Sequence, residues 1–104
     1  MYRSRTYRQV IYGRVNDYMK ATQELNAIAR KRGWPESTIW FPVVGPENEV
    51  VTEEEYPDLN TFGKVLDAFY ADADAMKILR NTKGMIVQGS ARSELVQEMK
   101  DLLA

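Results

Sequence analysis

Hydrophobic and polar positions alternate with a period of two at the start of the chain. Arg3, Arg5, Tyr7 and Gln9 fall on one side, and Tyr2, Ser4, Thr6 and Arg8 on the other. With Tyr, Thr, Val and Ile throughout, Met1 to about Ile11 is a predicted strand, broken at Gly13. Neither side is purely apolar, so the strand is expected to meet polar partners on one face. The period then changes. Val15, Tyr18, Thr22, Leu25, Ala29 and Arg32 step by three and four, widened by Met19 and Ile28, which predicts a helix from Arg14 to Arg32. Lys31 and Arg32 sit in its last turn, where cations suit the helix dipole, and Gly33 is placed to close it.

Thr38 to Val44 reads as the second strand, and Pro42, which has no N–H to give a ladder, assigns it to a sheet edge. Gly45-Pro46-Glu47-Asn48 is a turn signal, Glu49 to Tyr56 the third strand, and Pro57 its end. From Asp58 to about Tyr70, Leu59, Phe62, Val65, Leu66, Phe69 and Tyr70 share one helical face. Ala71 to Ala75 reads as a break with a fresh N-cap, followed by a short helix through Met76, Ile78 and Leu79 that ends at Lys83-Gly84. Met85 to about Arg92 is the expected fourth strand. Ser93 to Leu103 extends it or forms a terminal helix, and the spacing of Leu95, Val96, Met99, Leu102 and Leu103 favours the helix. No linker interrupts residues 1–104, so one domain is expected.

A βαββαβ order with right-handed crossovers gives an α+β fold. Its four-stranded antiparallel sheet has the order 4-1-3-2, with both helices on one face. Strands one and three become central neighbours. If facing residue numbers sum to 58, Arg3 meets Glu55, Arg5 meets Glu53 and Tyr7 meets Val51.

Charge supports this pairing. The net charge is −1, yet residues 1–32 carry eight Lys/Arg against Asp17 and Glu24, and residues 33–104 carry six against thirteen acids. The cations lie on two different elements, which favours a basic half folded on an acidic half over a nucleic-acid surface. The face away from the helices would hold Arg3, Arg5, Tyr7, Val51, Glu53 and Glu55. That layer is too polar for a core and too ordered for a random surface. A homodimer whose two sheets enclose it as a barrel is the predicted assembly.

No apolar run approaches the ~20 residues of a membrane span, and MYRSRTYR lacks the apolar centre of a signal peptide, so the cytoplasm is the expected setting. Residues 93–104 are amphipathic but carry few cations, which favours packing against a partner over a membrane. Without Cys or His, the chain has no disulfide, thiolate zinc site, cysteine nucleophile or histidine base. Glu53, Glu54 and Glu55 alternate across a strand and so cannot close together on one cation. No metal and no cofactor are expected.

Gly45, Asn48, Val50-Val51 and Tyr56-x-Asp58-Leu59 resemble the G-x-x-N-x-V-V…Y-x-D-L pattern of NIPSNAP-family proteins. Arg5-Thr6-Tyr7 followed by Gly13 and Tyr18 is similar to that family's R-T-Y…G…Y, with one extra residue before the glycine. The resemblance spans roughly residues 5–66 by motif and implies a ferredoxin-like fold and a dimeric α/β barrel. It implies little about activity, because most family members have no assigned chemistry. Neighbouring families include cofactor-free antibiotic-biosynthesis monooxygenases, haem-degrading monooxygenases, polyketide cyclases and muconolactone isomerases. The absence of histidine argues against a haem-degrading protein with a histidine ligand and against a histidine-based cyclase.

Two sets of candidate residues follow. Glu53 and Glu55 are candidate general bases, or else rungs of an ion-pair ladder with Arg3 and Arg5. Arg5, Tyr7, Tyr18, Trp40, Tyr56 and Phe62 are candidate ligand contacts in a pocket between sheet and helices, or else plain core; Trp34 reads as a packing lid. Three functions remain open: binding of a hydrophobic small molecule, a cofactor-independent monooxygenase or isomerase, and a structural dimer without ligand.

Overall fold

In the computed structural model, which describes residues 1–103, β1 (Tyr2–Gln9) lies at the centre of a four-stranded antiparallel sheet. β3 (Glu49–Tyr56) flanks it on one side and β4 (Arg92–Gln97) on the other; β2 (Thr38–Trp40) is the edge beyond β3. The order is therefore 4-1-3-2 as expected, and the register is the expected one too: Arg3 faces Glu55, Arg5 faces Glu53 and Tyr7 faces Val51.

α1 (Val15–Arg32) ends at Gly33, whose φ of 77° is the left-handed conformation that glycine adopts without a Cβ clash. α2 (Leu59–Ala71) starts at Asp58, whose carboxylate accepts from Thr61 N at 2.6 Å. The expected break falls at Asp72, which caps α3 (Ala73–Asn81) by accepting from Ala75 N at 2.9 Å. Arg32 Nε donates to the same carboxylate at 2.8 Å, which ties α1 to α3. The cap's N–H bonds, joined by Arg32, hold Asp72 below the usual aspartate range.

Two boundaries differ from expectation. β2 ends at Trp40 instead of Val44, because Pro42 cannot continue the ladder; Val43 and Val44 stand 100% and 93% exposed in the loop that follows. The fourth strand is Arg92–Gln97, not Met85–Arg92. Ile86 does bridge Val10, and Val87 N donates to Gln9 O at 2.8 Å, but the chain then turns at Gly89 (φ 80°). Ser90 Oγ accepts from Gln9 N at 3.1 Å, filling the ladder position vacated by the turn. Regular pairing resumes at Tyr7–Arg92. The expected terminal helix over 93–103 is thus a strand followed by a short α4 (Met99–Leu103), because β1 offers an open ladder edge that outweighs helical spacing.

The layer between sheet and helices is filled at one end only. Val10, Val50 and Tyr18 are buried there, with Val15, Ile39, Met85 and Ile86 packed around them. Asn48 secures this end: its backbone C=O accepts from Val10 N at 2.8 Å, and its side chain donates to Val10 O at 3.1 Å. Towards the other end, no residue of α2 is fully buried.

Candidate functional site

A helix whose apolar face is wide but whose partner strands carry Ser4, Thr6, Thr52 and Glu54 cannot close tightly on them. The result is a cavity of about 440 Å³ between sheet and helices. Its apolar wall comes from α1 and α2: Leu25, Ala29, Phe62, Val65, Leu66 and Phe69. The aromatic rings brace one another edge to face, with centroids 5.1 Å apart for Tyr56–Phe62 and 6.2 Å for Trp34–Phe69. Trp34 therefore packs as a lid over the end of α2.

The polar wall comes from the even-numbered residues of β1 and β3. Arg8 Nη1 donates to Tyr18 Oη at 3.2 Å and lies 3.5 Å from Thr52 Oγ1. Glu54 accepts from Ser37 Oγ at 2.7 Å. Ser37 is itself clamped by α1, since Asn26 Oδ1 accepts from Ser37 N at 2.7 Å and Asn26 Nδ2 donates to Ser37 O at 2.9 Å. Burial raises the Glu54 carboxyl above the usual glutamate value, a shift opposed by the Ser37 bond and by the positive charge of Arg8. Burial, aided by Glu54, pushes the Tyr56 phenol up to about 12, so this hydroxyl stays protonated at any physiological pH.

The candidate residues divide between the two faces of the sheet. Tyr18, Tyr56 and Phe62 line the cavity. Arg5, Tyr7 and Trp40 do not: strand alternation turns them to the open face, which corrects the expectation of a pocket containing all six. Glu53 and Glu55 are on the open face too. Arg5 Nε donates to Glu53 at 2.6 Å, Arg3 Nη2 lies 3.0 Å from Glu55, and Arg3 Nε is 3.8 Å from Glu53. The ladder extends to β4, where Glu94 accepts from Tyr7 Oη at 2.7 Å and Arg92 covers the Tyr7 ring at 3.9 Å. The bond to Glu94 holds the Tyr7 phenol above its usual value.

Sequence reasoning passed over Arg8, Asn26, Ser37 and Glu54 as site residues. For Arg8 and Glu54 a signal existed: both alternate with residues placed on the open face, so the same register puts both against the helices. Nothing local marks Asn26 and Ser37, which meet only through the fold. Among the described residues, no group of three or more acids, histidines or cysteines is arranged to hold a metal ion. No helix among them is long and apolar enough to cross a membrane.

No family model and no curated protein matches the sequence. Solved structures do match the fold. A NIPSNAP domain protein from Burkholderia xenovorans superposes with a TM-score of 0.78 at 15% identity, covering 94% of each chain. A NIPSNAP family protein from Agrobacterium tumefaciens gives 0.77 at 18%, over 94% of this chain and 87% of that one. An antibiotic biosynthesis monooxygenase gives 0.72 at 13%, over 94% and 98%. At such identities the likeness establishes architecture, and this chain has the ferredoxin-like α+β fold shared by NIPSNAP family proteins and antibiotic biosynthesis monooxygenases.

Proposed function

We propose that this protein is a homodimer that binds a hydrophobic small molecule between its sheet and its helices. The observation that carries this reading is the cavity of about 440 Å³, walled on one side by aromatic and aliphatic residues and on the other by a few polar groups. That combination suits small organic ligands. The dimer reading rests on the opposite face. There Trp40 is 54% exposed beside a matched set of arginines and glutamates, and the adjoining loop presents Phe41, Val43 and Val44 to solvent. Two copies of such a face are complementary in charge and would cover one another's apolar residues.

Native mass spectrometry of freshly purified protein tests both parts. The expected result is a dimer with a co-purified organic mass, which Phe62→Trp, by filling the cavity, removes without dissociating the dimer. A bare monomer at micromolar concentration would overturn the assembly. Failure of a hydrophobic probe such as anilinonaphthalene sulfonate to bind, with no co-purified mass, would overturn the ligand reading.

A second reading is favoured by one feature, the half-buried carboxyl of Glu54 on the cavity wall with its proton affinity raised by burial. A cofactor-independent monooxygenase or isomerase needs a base for proton abstraction, and Glu54 stands where a bound substrate would be. Glu53 and Glu55, held by arginines on the other face, do not. If a turnover is found for this protein, Glu54→Gln should lower kcat by about two orders of magnitude or more with the ligand still bound. Unchanged turnover would exclude the role.

A further inference from the structure

Six of the eight arginines are within 4.0 Å of a carboxylate: Arg3, Arg5, Arg14, Arg30, Arg32 and Arg92. Arg80 is exposed to solvent. Arg8 is the exception. It is half-buried, projects from the central strand into the cavity, and among the described residues has no carboxylate within 4.0 Å. Its two hydrogen-bond partners, Tyr18 and Thr52, are neutral hydroxyls, and both use Nη1. Nε and Nη2 have no protein acceptor among the described residues.

The nearby acid does not complete the pair. Glu54 is committed to Ser37, which Asn26 fixes from α1. Arg8 faces Val50, and four residues of strand rise put Glu54 about 13 Å further along β3 at the Cα positions. Arg8 and Glu54 are thus a cation and an acid that stand apart on the polar wall, across the cavity from the apolar wall of α2.

A second cavity, of about 570 Å³, adjoins the first and shares Arg8, Leu79 and Thr82 with it. It runs out between Lys83 and the turn at Gln88–Gly89. Lys83 likewise has no carboxylate within 4.0 Å among the described residues. Arg8 and Lys83 both line this second cavity.

We propose that the ligand of this site is an amphipathic organic anion, with its apolar body between the sheet and α2 and its carboxylate on the unused N–H fork of Arg8. The assignment rests on the small-molecule reading above and adds the head group. A guanidinium held in a partly desolvated cavity by neutral acceptors gains a charge-assisted, bidentate bond when a carboxylate arrives. A neutral head group offers one weaker bond, and a cationic one is repelled.

Calorimetric titration of the wild-type protein with octanoate, 1-octanol and octylammonium compares three heads on one tail. Octanoate is expected to bind at least about tenfold more tightly than octanol, with octylammonium the weakest of the three. Arg8→Gln should bring octanoate down to octanol while leaving octanol unchanged, Arg8→Lys should keep part of the preference, and Arg80→Gln should keep all of it. Equal binding of octanoate and octanol to the wild type would overturn the head-group assignment and leave the small-molecule reading standing. Binding of none of the three would overturn both. The wild-type series decides between these outcomes by itself, so a misfolded Arg8→Gln protein would not spare the head-group assignment.

Discussion

On the open face of the sheet, Glu53 and Glu55 answer Arg5 and Arg3 across the central strand pair; on the closed face, Glu54 has Ser37 as its hydrogen-bond partner. Three consecutive glutamates therefore meet two different environments. On the open face Arg3, Arg5 and Arg92 each lie within 4.0 Å of a glutamate, so polarity there is compatible with solvent or with a second sheet. On the closed face the same residue type is brought against an apolar helix, and the layer stays hollow instead of closing. A hollow lined by one raised carboxyl and one guanidinium is where selectivity can be built; the matched ladder is where subunits can be matched.

The largest difference between the faces is expected at assembly. If the open face joins two subunits, the double substitution Trp40→Asp and Val51→Asp sets two new acids without cationic partners into a ladder of paired arginines and glutamates. Self-association should weaken by about a hundredfold or more, so that light scattering gives one subunit's mass where the wild type gives two. Phe62→Ala, on the closed face, should leave the mass at two. Equal masses for wild type and double variant would remove the open face from the interface.

The next effect separates the filled end of the interlayer from its hollow end with one chemical change at two places. Val50 is 1% exposed within the packed cluster, whereas Val65 lines the cavity. Val50→Ala should cost about 2–3 kcal/mol of unfolding free energy, and Val65→Ala less than about 1 kcal/mol. Urea denaturation of the two variants checks the order. Equal losses would mean that the interlayer is packed throughout in solution.

The central pairing of this fold was legible because it is written in charge and alternation together: Arg3, Arg5, Glu53 and Glu55 fit only one register. The capping aspartates Asp58 and Asp72 and the left-handed Gly33 were legible from local chemistry. The fourth strand was not. Met85 to Val87 has strand propensity and does touch β1, but the turn at Gly89 sits three residues beyond Ile86, and the ladder that follows depends on an open edge distant in sequence. The site was half legible. Tyr18, Tyr56 and Phe62 follow from helical and strand spacing, while alternation puts Arg5 and Tyr7 on the other face and pairing with Val51 puts Trp40 there too. Arg8 and Glu54 were obscured because a polar residue on the helix side of a sheet contradicts the usual core pattern, and it is that contradiction that opens the cavity.

The smallest effect is the sharpest test of the two faces: Glu53→Gln, Glu54→Gln and Glu55→Gln, three near-isosteric changes in a row. Glu53→Gln removes a charge whose side chain is 14% exposed between Arg5 and Arg3, and it should lower the urea midpoint, less so at high salt. Glu55 is 53% exposed, and its change should hardly register. Glu54→Gln should go the other way. Its carboxyl is raised in the folded protein above the usual 4.5, so the folded state holds this proton more tightly than the unfolded state does. Wild-type stability from this group is therefore intact below about pH 4.5 and falls as pH rises through the window between that value and the raised one. The amide that replaces the carboxyl has no proton to lose. The midpoint of the Glu54→Gln variant relative to wild type should climb through that window and then level off. A flat Glu54→Gln difference from about pH 4 to pH 8 would mean that Glu54 is as well solvated as an exposed carboxylate. The closed face would then lose the property that distinguishes it from the open one.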